Sequence, residues 1–194
     1  IFIDLDQIQI IKKEGKSLLD SEIIDGIIID KEIVHPMMPK SLKNVKIALI
    51  NSSLEIEKTE FDAEIRVQSP DQINQFLEEE ANMLKKKVNK LKEVGANVVF
   101  CQKGVDDKAQ NYLAKEGVIA VRRVKKSDME KLARATNGKI VNNIFEISNN
   151  DLGTAGKIEE KKVADVLLLL AIAVALNATH YAYTSWVILT ALIM

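Results

Sequence analysis

Hydrophobic and polar positions alternate in the first stretch, "IFIDLDQIQIIKK". Ile1, Ile3 and Leu5 share one parity, Ile8 and Ile10 the other, which predicts a strand broken near Asp6–Gln7. "DGIIID" and "EIVHP" are short β-rich runs on either side of Lys31, and "VKIALIN" is nearly continuous in apolar residues, as in a strand buried on both faces. "LEIEKTEFDAEIRVQ" then alternates loosely under a heavy acidic load. At "SPDQ" the period changes. Ser69 is placed as an N-cap, Pro70 at the first helical position and Gln72 as the partner of a capping box. Ile73, Phe76, Leu77, Leu84, Val88, Leu91 and Val94 continue a helical stripe that Gly95 ends. Such a helix would span roughly 37 Å at about 1.5 Å per residue. Its first half, through "EEEAN", has too few apolar anchors to pack along its length, so that half is expected to project.

From there the pattern is regular. Strand "NVVFC", helix "DDKAQNYLAKE" ended by Gly117, strand "VIAV", helix "SDMEKLARAT" and strand "KIV" follow in order. Ser127 and Glu130 read as a second capping box, with Gly138 after the helix. Strands alternating with helices of this length imply βαβ units and a largely parallel stretch of sheet.

Composition adds a boundary. All 27 Lys and Arg and all 28 Asp and Glu lie at or before Asp165, and 166–194 carry no formal charge with His180 counted neutral. The unbroken apolar run Val166–Leu176 suits a helix, whereas "WVILTALIM" has the β-branched character of a strand. A soluble head with 166–194 as a membrane anchor is the alternative this tail raises. Against it, "NATHYAYTS" puts polar groups at the middle of the span, where they are costly. The chain opens at Ile1, without a methionine, as a fragment of something longer would.

Candidate chemistry is sparse. Cys101 is the one cysteine, set in the apolar run "VVFC", which reads as core and suits a reducing interior. "DLGTAGK" comes nearest to a phosphate loop, but its glycines have the wrong spacing. Asp4/Asp6 and Asp106/Asp107 read as local caps rather than cation ligands. "RRVKK", Arg122 to Lys126, is the one basic cluster. No aromatic is interleaved in it, so a solvated loop or an intersubunit salt-bridge surface is favoured over nucleic acid. "HPMMPK" sets two methionines in a loop, either to adapt to partners or to cap the core beneath, and composition leaves the two readings level.

"SEIIDGIIIDKEIVHPMMPK", "KIALINSSLEIEKTEFDAEI", "GANVVFCQKGVDDKAQNYLAKEGVIAVRRVKKSDMEKLARATNGKIV" and "DLGTAGKIEEKKVAD", in that order, resemble the apical domain of group II chaperonins, archaeal thermosome subunits in particular. The resemblance covers residues 1–165 and stops at Val166. It implies an α/β fold in which a central sheet is flanked by helices, with a long helical protrusion at about 55–84 serving as a built-in lid. Ile65, Val67, Ile73, Phe76 and Leu77 would then be the protrusion's contact residues, and 166–194 an apolar tail of unclear origin.

The resemblance also implies a client site for non-native polypeptide, formed by a loop at about 34–39 and the helix Asp106 to Glu116. Carried over residue by residue, the loop supplies Val34, His35, Pro36, Met37 and Met38. On the helix, Ala109, Tyr112 and Leu113 have the spacing of a buried face, which leaves Asp107, Gln110, Asn111 and Ala114 towards the client. Placed beside that helix, the methionine loop tips to client contact. In the family, ATP and Mg belong to an equatorial domain whose motifs are not found here, so this chain is expected to hold no cofactor, no metal and no catalytic residue. Its implied partners are unfolded polypeptides and sister subunits of a double ring in the cytoplasm, with neither nucleic acid nor a membrane among them.

Overall fold

The computed structural model describes residues 9–12, 22–56, 70–163, 166–172 and 189–193. The expected strand break at Asp6–Gln7, the Ser69 cap, Ile65, Val67 and the polar part of the tail lie outside them, as do the side chains of Ile73, Phe76 and Leu77.

Two sheets form. A small one has the order β1-β10-β2, from Gln9–Lys12, Leu189–Ile193 and Glu22–Asp25. The larger one has the order β3-β9-β8-β4-β5-β6, with β7 alongside the end of β4. Its strands are β3 (Ile27–Ile29), β4 (Ser41–Ile50), β5 (Val98–Cys101), β6 (Ile119–Val121), β7 (Ile140–Val141), β8 (Gly153–Val163) and β9 (Val166–Ile172). β4, β5 and β6 run parallel, while β8 is antiparallel to β4 and to β9.

Right where the sequence predicts them stand three helices: α1 (Pro70–Glu93), α2 (Asp107–Lys115) and α3 (Lys126–Thr136). They divide the core into two layers. α1 and α2 cover one face through Leu84, Val88, Leu91, Ala109 and Leu113, and α3 covers the other through Met129 and Leu132. Every residue of Val98–Cys101 and Ile119–Val121 is buried between them, as expected for strands covered on both faces. Gly95 and Gly117 take positive φ, 79° and 68°, where a side chain would be strained.

Several expectations are corrected. α3 begins at Lys126 with Lys125 as an N-cap that makes no side-chain bond, so Ser127 and Glu130 form no capping box. The helix ends instead on Asn137, left-handed at φ 57°. "EIVHP" is a loop rather than a β-run: Lys31–Lys40 hold no strand. The start of the apolar tail is not helical, for Val166–Ile172 forms β9, paired antiparallel from Lys157 to Val163 and with Ile27–Ile29. Leucine's helix propensity amounts to a few tenths of a kcal/mol per residue, less than two neighbouring strands supply by satisfying the backbone on both sides. Among the described residues no helix is long and apolar enough to cross a membrane.

Candidate functional site

The loop 31–40 lies along the outer edge of β6, the last strand of the sheet, whose free backbone groups need partners. Val34 N–H donates to the Ala120 carbonyl at 3.1 Å, and Ala120 N–H donates back to the thioether Sδ of Met38 at 3.4 Å. An edge that would otherwise be open is closed by one backbone bond and one sulfur acceptor. At its root the loop is tied to β8. Glu160 Oε1 accepts Ile33 N–H at 2.9 Å, its Oε2 lies 3.8 Å from Lys40 Nζ, and Glu160 N–H donates to the Lys40 carbonyl at 2.8 Å. Although charged, the Glu160 side chain is only 5% exposed. Within the turn, His35 Nδ1 accepts Met37 N–H at 3.2 Å and the His35 carbonyl accepts Met38 N–H at 3.1 Å.

These bonds separate the two methionines. Met38 is 3% exposed and belongs to the core, whereas Met37 is 73% exposed at the tip. The core-capping reading of "HPMMPK" therefore holds for Met38, which is corrected from client contact to anchor, while Met37 is left exposed. Val34 and His35 are half-buried and Pro36 is exposed. A cleft of about 300 Å³ opens beside the loop, lined by Ile33, Val34, His35, Pro36, Lys40 and Glu160 among others.

α2 packs on the same hydrophobic cluster as Met38 and Val34, through Ala109 and Leu113 with half-buried Tyr112 against it. Asp106 caps it by accepting Lys108 N–H at 2.8 Å, so that acid is a cap, as the sequence suggested. Of the four residues assigned to the client face, Asp107 and Asn111 are exposed, and Gln110 and Ala114 are buried at 4% and 8%. This corrects the latter two. Gln110 is admitted to the core because its amide donates to the Val105 carbonyl at 2.9 Å and to Asp107 Oδ1 at 3.0 Å. The exposed stripe is Asp107, Asn111 and Lys115, four apart and wholly polar.

α1 divides as its sequence does. From Glu78 to Met83 none of its side chains is buried, and Met83 is 59% exposed, while Leu84, Val88 and Leu91 are core. Lys87 Nζ donates to the Ser53 and Glu55 carbonyls at 3.2 and 3.1 Å, tying the helix to the strand-like segment that enters the acidic stretch.

Cys101 is fully buried and its thiol donates to the Ser52 carbonyl at 3.1 Å. Burial pushes its pKa up, partly offset by backbone hydrogen bonding, which is the reverse of what a nucleophile needs. The glycines of "DLGTAGK" lie in β8, with Gly153 opposite Ile47 and Thr154 opposite Lys46 in the ladder to β4. That backbone is committed to the sheet, so the segment does not fit a nucleotide phosphate.

The described geometry thus brings a pinned, methionine-tipped loop and a polar helix face onto one sheet edge. A model of the TCP-1/cpn60 chaperonin family matches residues 1–180. The chain is 60% identical over 164 residues to thermosome subunit beta of Sulfurisphaera tokodaii and 61% identical over 162 residues to a thermosome subunit of Pyrococcus horikoshii. Each alignment covers 84% of this chain and 30% of the relative, so the chain spans about a third of the length of the curated relatives it matches. In structure it is similar to the open-state monomer of a group II chaperonin from Methanococcoides burtonii, with TM-score 0.75, 36% identity, and coverage of 97% of this chain and 39% of that one. The chain belongs to the TCP-1/cpn60 chaperonin family, on its group II, thermosome-like side.

Proposed function

We propose that this chain is the apical domain of an ATP-dependent chaperonin, occupying residues 1–165 with β9 completing its sheet, and that it binds non-native polypeptide and contributes to a lid. The observation that carries the reading is the anchored loop on the β6 edge, with Met37 held out at its tip next to the polar face of α2. Val34, His35, Pro36, Met37, Asp107 and Asn111 are the contact residues in this reading, with Met38, Gln110 and Ala114 supporting them from below. A flexible thioether beside amide and carboxylate groups suits partners of mixed character, held at moderate strength. The half of α1 before Leu84, with the acidic segment preceding it, is the lid protrusion, and Ile65, Val67, Ile73, Phe76 and Leu77 are its contact residues. ATP and Mg belong to an equatorial domain of the whole subunit, which makes the present chain a recognition module without catalysis. Sister subunits in a double ring and a cytoplasmic setting complete the proposal.

The test uses the 194-residue chain without nucleotide. It should suppress aggregation of a chemically denatured client, and photo-crosslinkers placed at Met37 or Asn111 should capture that client. Met37→Glu should weaken capture about fivefold, the equivalent of roughly 1 kcal/mol, without moving the unfolding midpoint. Absence of client binding at every concentration, with no crosslink at either position, would sink the proposal.

A further inference from the structure

A second cleft, of about 210 Å³, lies next to the client loop and shares Glu32 and Val34 with the first. Its lining is Lys31, Glu32, Val34, Arg122 and Arg123, three cations against one carboxylate. The arginines follow directly on β6, whose last residue is Val121. Arg123 N–H donates to the carbonyl of Lys103, which follows β5, at 3.0 Å, so a fourth basic residue is tied to the same turn. The cleft therefore sits beyond the carboxyl ends of parallel strands, where open α/β sheets commonly place their ligands.

Two further observations mark the spot. Arg122 and Arg123 are both exposed, and among the described residues neither makes an ion pair. Arg123 also holds φ 54°, a left-handed backbone that disfavours any residue with a Cβ. Buried Val124, whose N–H donates to the Cys101 carbonyl at 3.1 Å, fixes the turn from the other side. Strain over-determined in this way tends to be kept where a side chain has to be presented to something.

We propose that this cleft is an anion subsite that takes the side-chain carboxylates of acidic stretches in a bound non-native polypeptide, an inference resting on the client-binding reading above. Guanidinium groups match a carboxylate in bidentate geometry, which favours arginine for this task. A volume of about 210 Å³ suits one or two carboxylate side chains, and the shared Glu32 and Val34 set the cleft beside the client groove. Nucleic acid is the weaker occupant, since the lining has no aromatic for a base to stack on.

The experiment titrates the 194-residue chain with a fluorescent peptide of alternating Glu and Leu and with its Gln-for-Glu analogue. The Glu peptide should bind about tenfold more tightly, and the advantage should shrink as salt is raised. The pair Arg122→Gln and Arg123→Asn, asparagine being tolerant of a left-handed backbone, should abolish the preference and leave binding of the Gln peptide unchanged. Equal affinity for both peptides, or a preference that survives in the double variant, overturns the subsite. Displacement of the Glu peptide by duplex DNA or inorganic phosphate, as effective as by free Glu peptide at equal ionic strength, overturns its assignment to polypeptide. Capture of a denatured client without any Glu preference defeats the subsite alone, whereas failure to capture client in any form defeats the reading beneath it.

Discussion

The large sheet has two halves built on different principles. In the parallel half, β5, β6 and the last four residues of β4 are sandwiched between helices and buried without interruption. In the antiparallel half, β8 is mixed: Thr154 is exposed, Ala155 and Ile158 are buried, Lys157 and Glu159 are half-buried, and the Glu160 side chain is almost covered. Such a strand carries charge within the sheet, and Glu160 is the side chain by which β8 holds the 31–40 loop. The half that is mostly core makes the body; the half that carries charge does the tethering. Recognition in the proposed reading depends on both, because the loop is held to β8 at its two ends, through Ile33 and Lys40, and to β6 between them, through Val34 and Met38.

The sharpest way to break this comparison is at the centre of the parallel half. Phe100 is fully buried, and Phe100→Ala should cost about 3–5 kcal/mol of stability. Thr154→Ala, at an exposed position of β8, should stay within about 0.5 kcal/mol. Urea unfolding followed by far-UV circular dichroism compares the two, and equal losses would erase the distinction between the halves.

A smaller effect is expected where the halves meet. A Cβ on Gly138, just past α3, would stand 2.8 Å from the backbone nitrogen and 2.9 Å from the Cα of Gly153, the first residue of β8. Backbone cannot swing aside as a side chain can, so Gly138→Ala should destabilise by roughly 1–3 kcal/mol. A thermal midpoint equal to that of the parent chain would show that the junction is looser than the structure has it.

The smallest effect concerns the loop between them. Asp151 accepts Ser148 N–H at 3.0 Å and the Ser148 hydroxyl, and Lys139 Nζ lies 3.6 Å away. These hydrogen bonds from Ser148, with Lys139 adding to them, hold the carboxyl below its ordinary value of 3.8. A depressed folded-state pKa gives stability that is present above the ordinary value and lost as pH falls through the lower one. Asp151→Asn should therefore lower stability slightly at neutral pH and leave it nearly unchanged at pH 2, flattening the acid limb of the stability–pH curve, as urea midpoints between pH 7 and pH 2 would show.

How far the sequence could be read follows the same division. In the parallel half, glycines at positive φ, the Asp106 cap and Pro70 at the head of α1 are local devices, and each was visible where it stands. What could not be read depended on distant neighbours. Leucine-rich β9 looks helical until β8 and β3 are placed on either side of it. Gln110 looks like a surface residue until the Val105 carbonyl offers its amide a partner. The adjacent Met37 and Met38 have the same chemistry, and only the path of the loop over β6 decides which is core. Of the four α2 residues expected to face outward, Gln110 and Ala114 face inward for this reason.

The pairing of β4 with β8 also sets a timetable. Ser41 stands opposite Glu159 and Ile47 opposite Gly153, so the central strand finds its antiparallel neighbour only after everything between them has been made. Roughly 100 residues at about 5–20 residues per second mean a wait on the order of 5–20 s on the ribosome. Throughout it β4 has a bare edge of the kind that invites pairing with other chains. Contacts of such long range also slow the final search. A module proposed to shelter unfinished polypeptides is, during its own synthesis, a nascent chain with the same exposure.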